Sequence, residues 1–146
     1  MDSVKDKLRL GLALSGGGVR AAVFHLGVLR HLSMLGRLEE VTQISTVSGG
    51  SLIVGAIFSH ADLKWPTSRQ FLDEIYPELR KRLTAGDLFS LTALGWRGIL
   101  RENIRILFRR AEILPKLLAA RWGVKGSVKD LPDTPEWHIN TTCFET

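Results

Sequence analysis

Apolar and small or polar positions alternate through Leu8-Arg9-Leu10-Gly11-Leu12-Ala13-Leu14, the period of two expected of a strand. The pattern breaks at Ser15-Gly16-Gly17-Gly18. From Val19 to Leu35 it resumes as a run that is apolar almost all round, with Ala21, Ala22, Val23, Phe24, Leu26, Val28 and Leu29. Such a run predicts a helix buried against a sheet, with Gly27 allowing close packing. Gly36 is placed to stop this helix, and Arg37 to Glu40 form a short connection. Val41, Ile44 and Val47 then mark a second strand, which meets Ser48-Gly49-Gly50 and a small, apolar helical run through Phe58. Two successive strand, glycine turn and helix units predict a right-handed βαβ crossover and an α/β class with a parallel sheet.

Beyond Phe58 the segment Ser59 to Pro66 interrupts the pattern, and Thr67 or Ser68 is placed to cap a new helix. Phe71, Leu72, Ile75, Leu79 and Leu83 recur at helical spacing there, with Pro77 expected to kink or split the helix. Trp96 to Lys125 carries a second amphipathic pattern, with Ile99, Leu100, Ile106, Leu107, Ile113 and Leu114 on its apolar side and Pro115 as a divider. Gly126 to Pro135 reads as a loop and Trp137 to Phe144 as a third strand.

The two glycine turns carry the candidate chemistry. Three glycines at a helix N-terminus leave backbone N–H groups uncovered, which suits an anion or a developing oxyanion. A serine at a tight strand-to-helix turn projects from the sheet edge beside free N–H groups, and Gly49 and Gly50 leave room for a substrate carbonyl. Taken alone, Ser48 reads more simply as the N-cap of an ordinary helix, and the glycine turn upstream changes that reading. Parallel strands end at one sheet edge, so the two turns are expected to meet there. His25 and His31 fall within the first helix, where a lone histidine is more often packed or exposed than catalytic, and no role is assigned to them.

Gly16-Gly17-Gly18-Val19-Arg20 resembles the oxyanion motif of the patatin-like phospholipases, and Ser48-Gly49-Gly50 resembles their nucleophile elbow. The resemblance covers Leu10 to Phe58 most closely. It implies a serine lipid acyl hydrolase of phospholipase A type that works through a Ser-Asp dyad. Ser48 would be the nucleophile, Gly16, Gly17 and Gly18 the oxyanion hole, Gly49 and Gly50 the elbow, and Arg20 the support of the oxyanion loop. Two departures stand out. Thr46 occupies the first glycine position of G-x-S-x-G, where its branched Cβ is expected to crowd the turn. The family's aspartate, usually followed by Gly-Gly or Gly-Ala, has no counterpart, because no Asp-Gly pair occurs in the sequence. Residues 8–146 are therefore expected to be the N-terminal part of a patatin-like domain truncated at its C-terminal end, with a basic helical insertion over about 65–126.

At 146 residues and 45% hydrophobic content, the chain suits one domain with a core. The single cysteine, Cys143, excludes an internal disulfide, and no Cys/His cluster has zinc spacing, so no metal or cofactor is expected. A charged start and a short first strand predict neither a signal peptide nor a membrane span; a cytoplasmic protein, peripheral to membranes, is the simpler expectation. Between Trp96 and Lys125 eight basic residues face two acidic ones, a net of +6 against +5 for the whole chain. Arg97, Arg101, Arg105 and Arg109 recur every four residues as a basic stripe. With Trp96 and Trp122 near the ends, this segment suits an anionic membrane surface, although a solvated helix face has the same composition. No nucleic-acid motif accompanies the charge.

Two other classes fit parts of the pattern. Gly16-Gly17-Gly18-Val19-Arg20-Ala21 also satisfies the G-x-G-x-x-A of dinucleotide-binding modules. That reading expects an acidic residue at the end of the second strand, where Thr46-Val47-Ser48 stands, while Glu39 and Glu40 precede the strand. A non-catalytic remnant that binds lipid or membrane is the other alternative.

Overall fold

The computed structural model describes residues 9–85, 115–116 and 118–142. Strand β1 spans Leu10–Leu14, helix α1 Gly18–Met34, strand β2 Val41–Val47 and helix α2 Gly49–His60. A helical stretch comes next as α3 Ser68–Gln70, a π-helical turn Phe71–Ile75 and α4 Tyr76–Thr84. A second π-helical turn, Leu118–Trp122, and the 3-10 turn Val128–Asp130 lead to strand β3, Glu136–Asn140.

The three strands form one parallel sheet in the order β1-β2-β3. Leu12, Ile44 and Trp137 lie side by side across it, as do Leu14, Thr46 and Ile139. Those rows face the helices, except that Ile139, near the end of the edge strand β3, is left exposed. Gly11, Ala13, Gln43, Val47 and His138, on the other parity, are exposed. Helices α1 and α2, which follow β1 and β2, pack against each other on the covered face, the arrangement expected of right-handed connections that advance in one direction.

The core centres on α2, whose Ile53, Val54, Ala56, Ile57 and Phe58 are all buried. Phe58 stacks on Trp137 with ring centroids 5.5 Å apart, and Trp65 packs at a tilt against the same phenyl ring while donating Nε1–H to the Leu38 carbonyl at 3.0 Å. Helix α1 departs from the expectation of burial all round. One stripe, Ala22, His25, Leu26, Leu29 and Ser33, is buried, whereas among the described residues Val23, Phe24 and Val28 stay exposed, Phe24 at 67%. Only the stripe spaced by three and four meets α2 and the sheet. Gly27 is on the open side, and a Cβ there would meet nothing within 4 Å, so close packing is not its reason.

Pro77 does interrupt its helix. Lacking an N–H, it leaves the preceding turn to widen, and Tyr76 N–H bonds the Phe71 carbonyl in π fashion. Trp122 is buried at 2% exposure, its carbonyl accepting from His60 Nε2 at 2.9 Å. It is therefore a core residue and cannot anchor the basic segment at a membrane surface. Arg97, Arg101, Arg105 and Arg109 lie outside the described residues, in the part of the expected insertion that spans 86–114. Among the described residues no helix is long and apolar enough to cross a membrane.

Candidate active site

Leu14 pairs with Thr46, so the two strands leave the sheet level with each other and their turns begin together. The contact between the turns is close. A Cβ on Gly16 would lie 3.2 Å from Ser48 Cβ, one on Gly50 2.5 Å from the Leu14 carbonyl oxygen, and one on Gly49 would overlap the Gly18 carbonyl oxygen. Glycine at 49 and 50 is thus a steric requirement of bringing the two backbones together. The structure places Ser48, Gly16–Gly18, Gly49 and Gly50 in one constellation at the carboxyl ends of β1 and β2.

Ser48 has φ 51° and ψ −116°, a region that side-chain-bearing residues avoid. The strand reverses into α2 within this one residue, which leaves the Ser48 side chain exposed at the sheet edge. Neither α1 nor α2 has a side-chain hydrogen bond at its N-cap or an acidic residue in its first turn. The free N–H groups and the positive dipole ends of two helices therefore lie beside each other with no protein anion among the described residues to neutralise them. Such a site favours negative charge on a reacting group next to Ser48.

Thr46 is accommodated by the pleat. Its side chain shares the inward parity of Ile44, is 1% exposed, and points away from the turn it was expected to crowd. Trp137 Nε1–H donates to Thr46 Oγ1 at 2.8 Å, and Thr46 Oγ1 and Ser51 Oγ are hydrogen-bonded at 2.9 Å. One hydroxyl thus ties β3 and the first turn of α2 to the residue two before Ser48. On the outer face Asn140 Nδ2 donates to Ser45 Oγ at 3.0 Å and to the Thr46 carbonyl at 3.1 Å. Sequence reasoning misses these braces, although the parity of Thr46 with Ile44 is a readable sign of where its side chain goes.

Arg20 is exposed on the first turn of α1, and among the described residues no hydrogen bond or ion pair ties its guanidinium to the glycine turn. His25 makes that connection instead. Buried at 5% exposure, it donates from Nε2 to the Ser15 carbonyl at 3.0 Å, with Ser15 Oγ 3.4 Å away.

Among the described residues no acid or base is hydrogen-bonded to the Ser48 side chain. His60 bonds Trp122, His138 lies beside Glu136 at 3.4 Å, and His31 is exposed on α1. Asp62 lies just past the far end of α2, Asp73 faces Arg69 at 3.5 Å, Asp130 accepts from Ser127 N–H, and Asp133 is exposed; Asp87 lies outside the described residues. Glu39, one of the two acids considered for a ribose contact, is at the opposite end of β2 from Gly16–Gly18 and accepts from Ser68, which removes that support for a dinucleotide site. Among the described residues no cluster of three His, Cys, Asp or Glu side chains offers a metal site.

Comparison with known proteins adds three findings. The sequence model of the family described as patatin-like phospholipase matches residues 12–126. A probable lysophospholipase 3 of Schizosaccharomyces pombe is 30% identical over 129 residues, an alignment covering 68% of this chain and 20% of the relative. Among solved structures, human GIVD cytosolic phospholipase A2, in complex with methyl gamma-linolenyl fluorophosphonate and terbium chloride, resembles the chain with a TM-score of 0.55 at 19% identity, over 94% of this chain and 22% of that one. This last likeness concerns the fold. The chain spans about a fifth of the length of each relative.

Proposed function

Because the chain belongs to the patatin-like phospholipase family, we propose that it carries the nucleophile and oxyanion loop of a lipid acyl hydrolase of phospholipase A type. Ser48 Oγ attacks the ester carbonyl carbon and passes its proton to a carboxylate base. The oxyanion that forms is held by backbone N–H groups of the Gly16–Gly18 turn, with Arg20 adding positive charge on the same side. Collapse of the intermediate expels the lipid alcohol, which takes up the proton, and water then releases the fatty acid from Ser48 by the same steps in reverse. The base in this reading is the aspartate of a Ser-Asp dyad, which the chain itself does not supply: no Asp-Gly pair occurs in the 146 residues, and no described aspartate is hydrogen-bonded to Ser48.

The observation that carries the reading is the contact of the two turns, with Ser48 in a strained conformation between two uncapped helix N-termini. Without its base a serine hydroxyl is a poor nucleophile near neutral pH, so the 146-residue chain by itself should turn over lipid esters barely or not at all. The test compares p-nitrophenyl ester turnover by this chain, by Ser48→Ala, and by a version extended through any downstream Asp-Gly motif. Ser48-dependent turnover confined to the extended version is expected; turnover indifferent to Ser48 refutes the assignment.

The lipid surface is met, in this proposal, through the basic run Arg97, Arg101, Arg105 and Arg109, which makes the protein peripheral to anionic membranes. Binding should be tighter to anionic than to neutral vesicles and should weaken with salt, exposed charges being screened over about 10 Å at 0.1 M. Equal binding to both vesicle types contradicts it. A lipid-binding chain without turnover would show vesicle binding with no Ser48-dependent hydrolysis in the extended version.

A further inference from the structure

We propose that His25 is a positioning residue that clamps the peptide entering the triple-glycine loop; the inference rests on the catalytic reading of that loop. His25 sits two turns into α1, on its buried stripe, and reaches back across ten residues to Ser15. The acceptor is a carbonyl oxygen, which cannot donate, so Nε2 carries the proton and the neutral ring is the Nε2–H tautomer. Phe24 packs edge-on against the imidazole, ring centroids 5.5 Å apart, on the side open to solvent.

The clamp matters because the three residues after Ser15 cannot hold themselves in place. Gly16, Gly17 and Gly18 have no side chains to restrict them, and Gly17 and Gly18 adopt φ 136° and 64°. Oxyanion donors act only when they are oriented before charge develops. The Ser15 carbonyl and the Gly16 N–H belong to one planar trans peptide and point in opposite directions, so fixing the carbonyl on α1 fixes the direction of the first N–H of the loop. The opposite end of the loop is held by the Gly18 backbone against Gly49, and Gly16 abuts Ser48. His25 and the elbow together therefore hold both ends of an otherwise free segment. The contact joins the loop to the helix that follows it.

Three variants separate the hydrogen bond from packing: His25→Ala removes both, His25→Phe keeps an aromatic ring without the donor, and His25→Gln keeps an N–H donor. Amide hydrogen exchange at Gly16, Gly17 and Gly18 and the rate of covalent labelling of Ser48 by an alkyl fluorophosphonate are measured on the chain and, for labelling, on the version extended through an Asp-Gly motif. Loss of one hydrogen bond is expected to speed exchange and slow labelling by about tenfold in His25→Phe, with His25→Gln within about threefold of the parent. His25→Phe matching the parent in both readouts overturns the proposal and leaves His25 as a core residue. Where no variant, nor the parent, is labelled at Ser48, the catalytic reading fails, while the exchange rates in His25→Phe and His25→Gln still decide whether the clamp exists.

Discussion

Two helix N-termini at the carboxyl end of the sheet and one at its opposite end have been built in contrary ways. The helix that begins at Ser68 is capped twice: Thr67 Oγ1 accepts from Gln70 N–H at 3.2 Å, and the Glu39 carboxylate accepts from both Ser68 N–H and Ser68 Oγ. Its dipole end already holds a protein anion. The ends of α1 and α2 hold none, and between them stands a serine in a conformation that costs energy. A terminus that serves the fold is thereby distinguished from one left open beside the proposed nucleophile. The first satisfies its N–H groups internally and gains stability, whereas the second forgoes that stability and leaves its N–H groups open, as the proposed oxyanion site requires.

The sharpest way to break the contrast is to close the gap between the turns. Gly49→Ala forces a methyl into the Gly18 carbonyl and should cost on the order of 3 kcal/mol, with loss of Ser48 labelling. Gly27→Ala serves as its control, because that Cβ meets nothing and a helical alanine should add about 0.5–1 kcal/mol of stability. Urea unfolding midpoints of the two variants should move in opposite directions.

A smaller effect is expected from the brace beneath the elbow. Thr46→Val keeps the shape but leaves Trp137 Nε1–H without its acceptor, at a cost of about 1–3 kcal/mol read by the same unfolding experiment. Ser48→Gly should do the reverse. It removes the strain at φ 51° and should stabilise the fold by on the order of 1 kcal/mol while abolishing labelling, and a destabilised Ser48→Gly would mean that the backbone at 48 is not strained.

The smallest change is expected at the capped terminus. Burial alone would raise the Glu39 pKa, but hydrogen bonds from the Ser68 hydroxyl and the Ser68 N–H outweigh it and hold the carboxyl below its ordinary value. The folded value lies below the unfolded one, so the stability contributed is complete above the ordinary carboxylate range and is lost as pH falls through the lowered value. Glu39→Gln should therefore lower the urea midpoint at about pH 7 and converge on the parent at low pH. A gap that stays constant across that range would show that Glu39 contributes through shape and not through charge.

Read from the sequence alone, the strands and helices and the two glycine turns are legible because each depends on neighbours a few residues away. Alternation over Leu8 to Leu14 shows a strand of five residues, and Val41 to Val47 appears in full. The spacing of Ala22, Leu26, Leu29 and Ser33 already marks a stripe that includes His25, yet nothing local says that its ring reaches Ser15. Thr46 escapes a local reading for the same reason, its fate being set by Trp137, 91 positions away.

Local pattern is enough to set two strands that each end in glycines and open into a helix, with a serine at the second turn. That the turns touch is settled by how the strands pair. That depends on the register of β1 on β2, in which a bulge between Leu10 and Gly11 lets Leu14 pair with Thr46. A slip of one residue would put Thr46 on the open face and separate Gly18 from Gly49. Register comes from hydrogen bonds and packing between segments some thirty residues apart, and no periodicity within either segment encodes it.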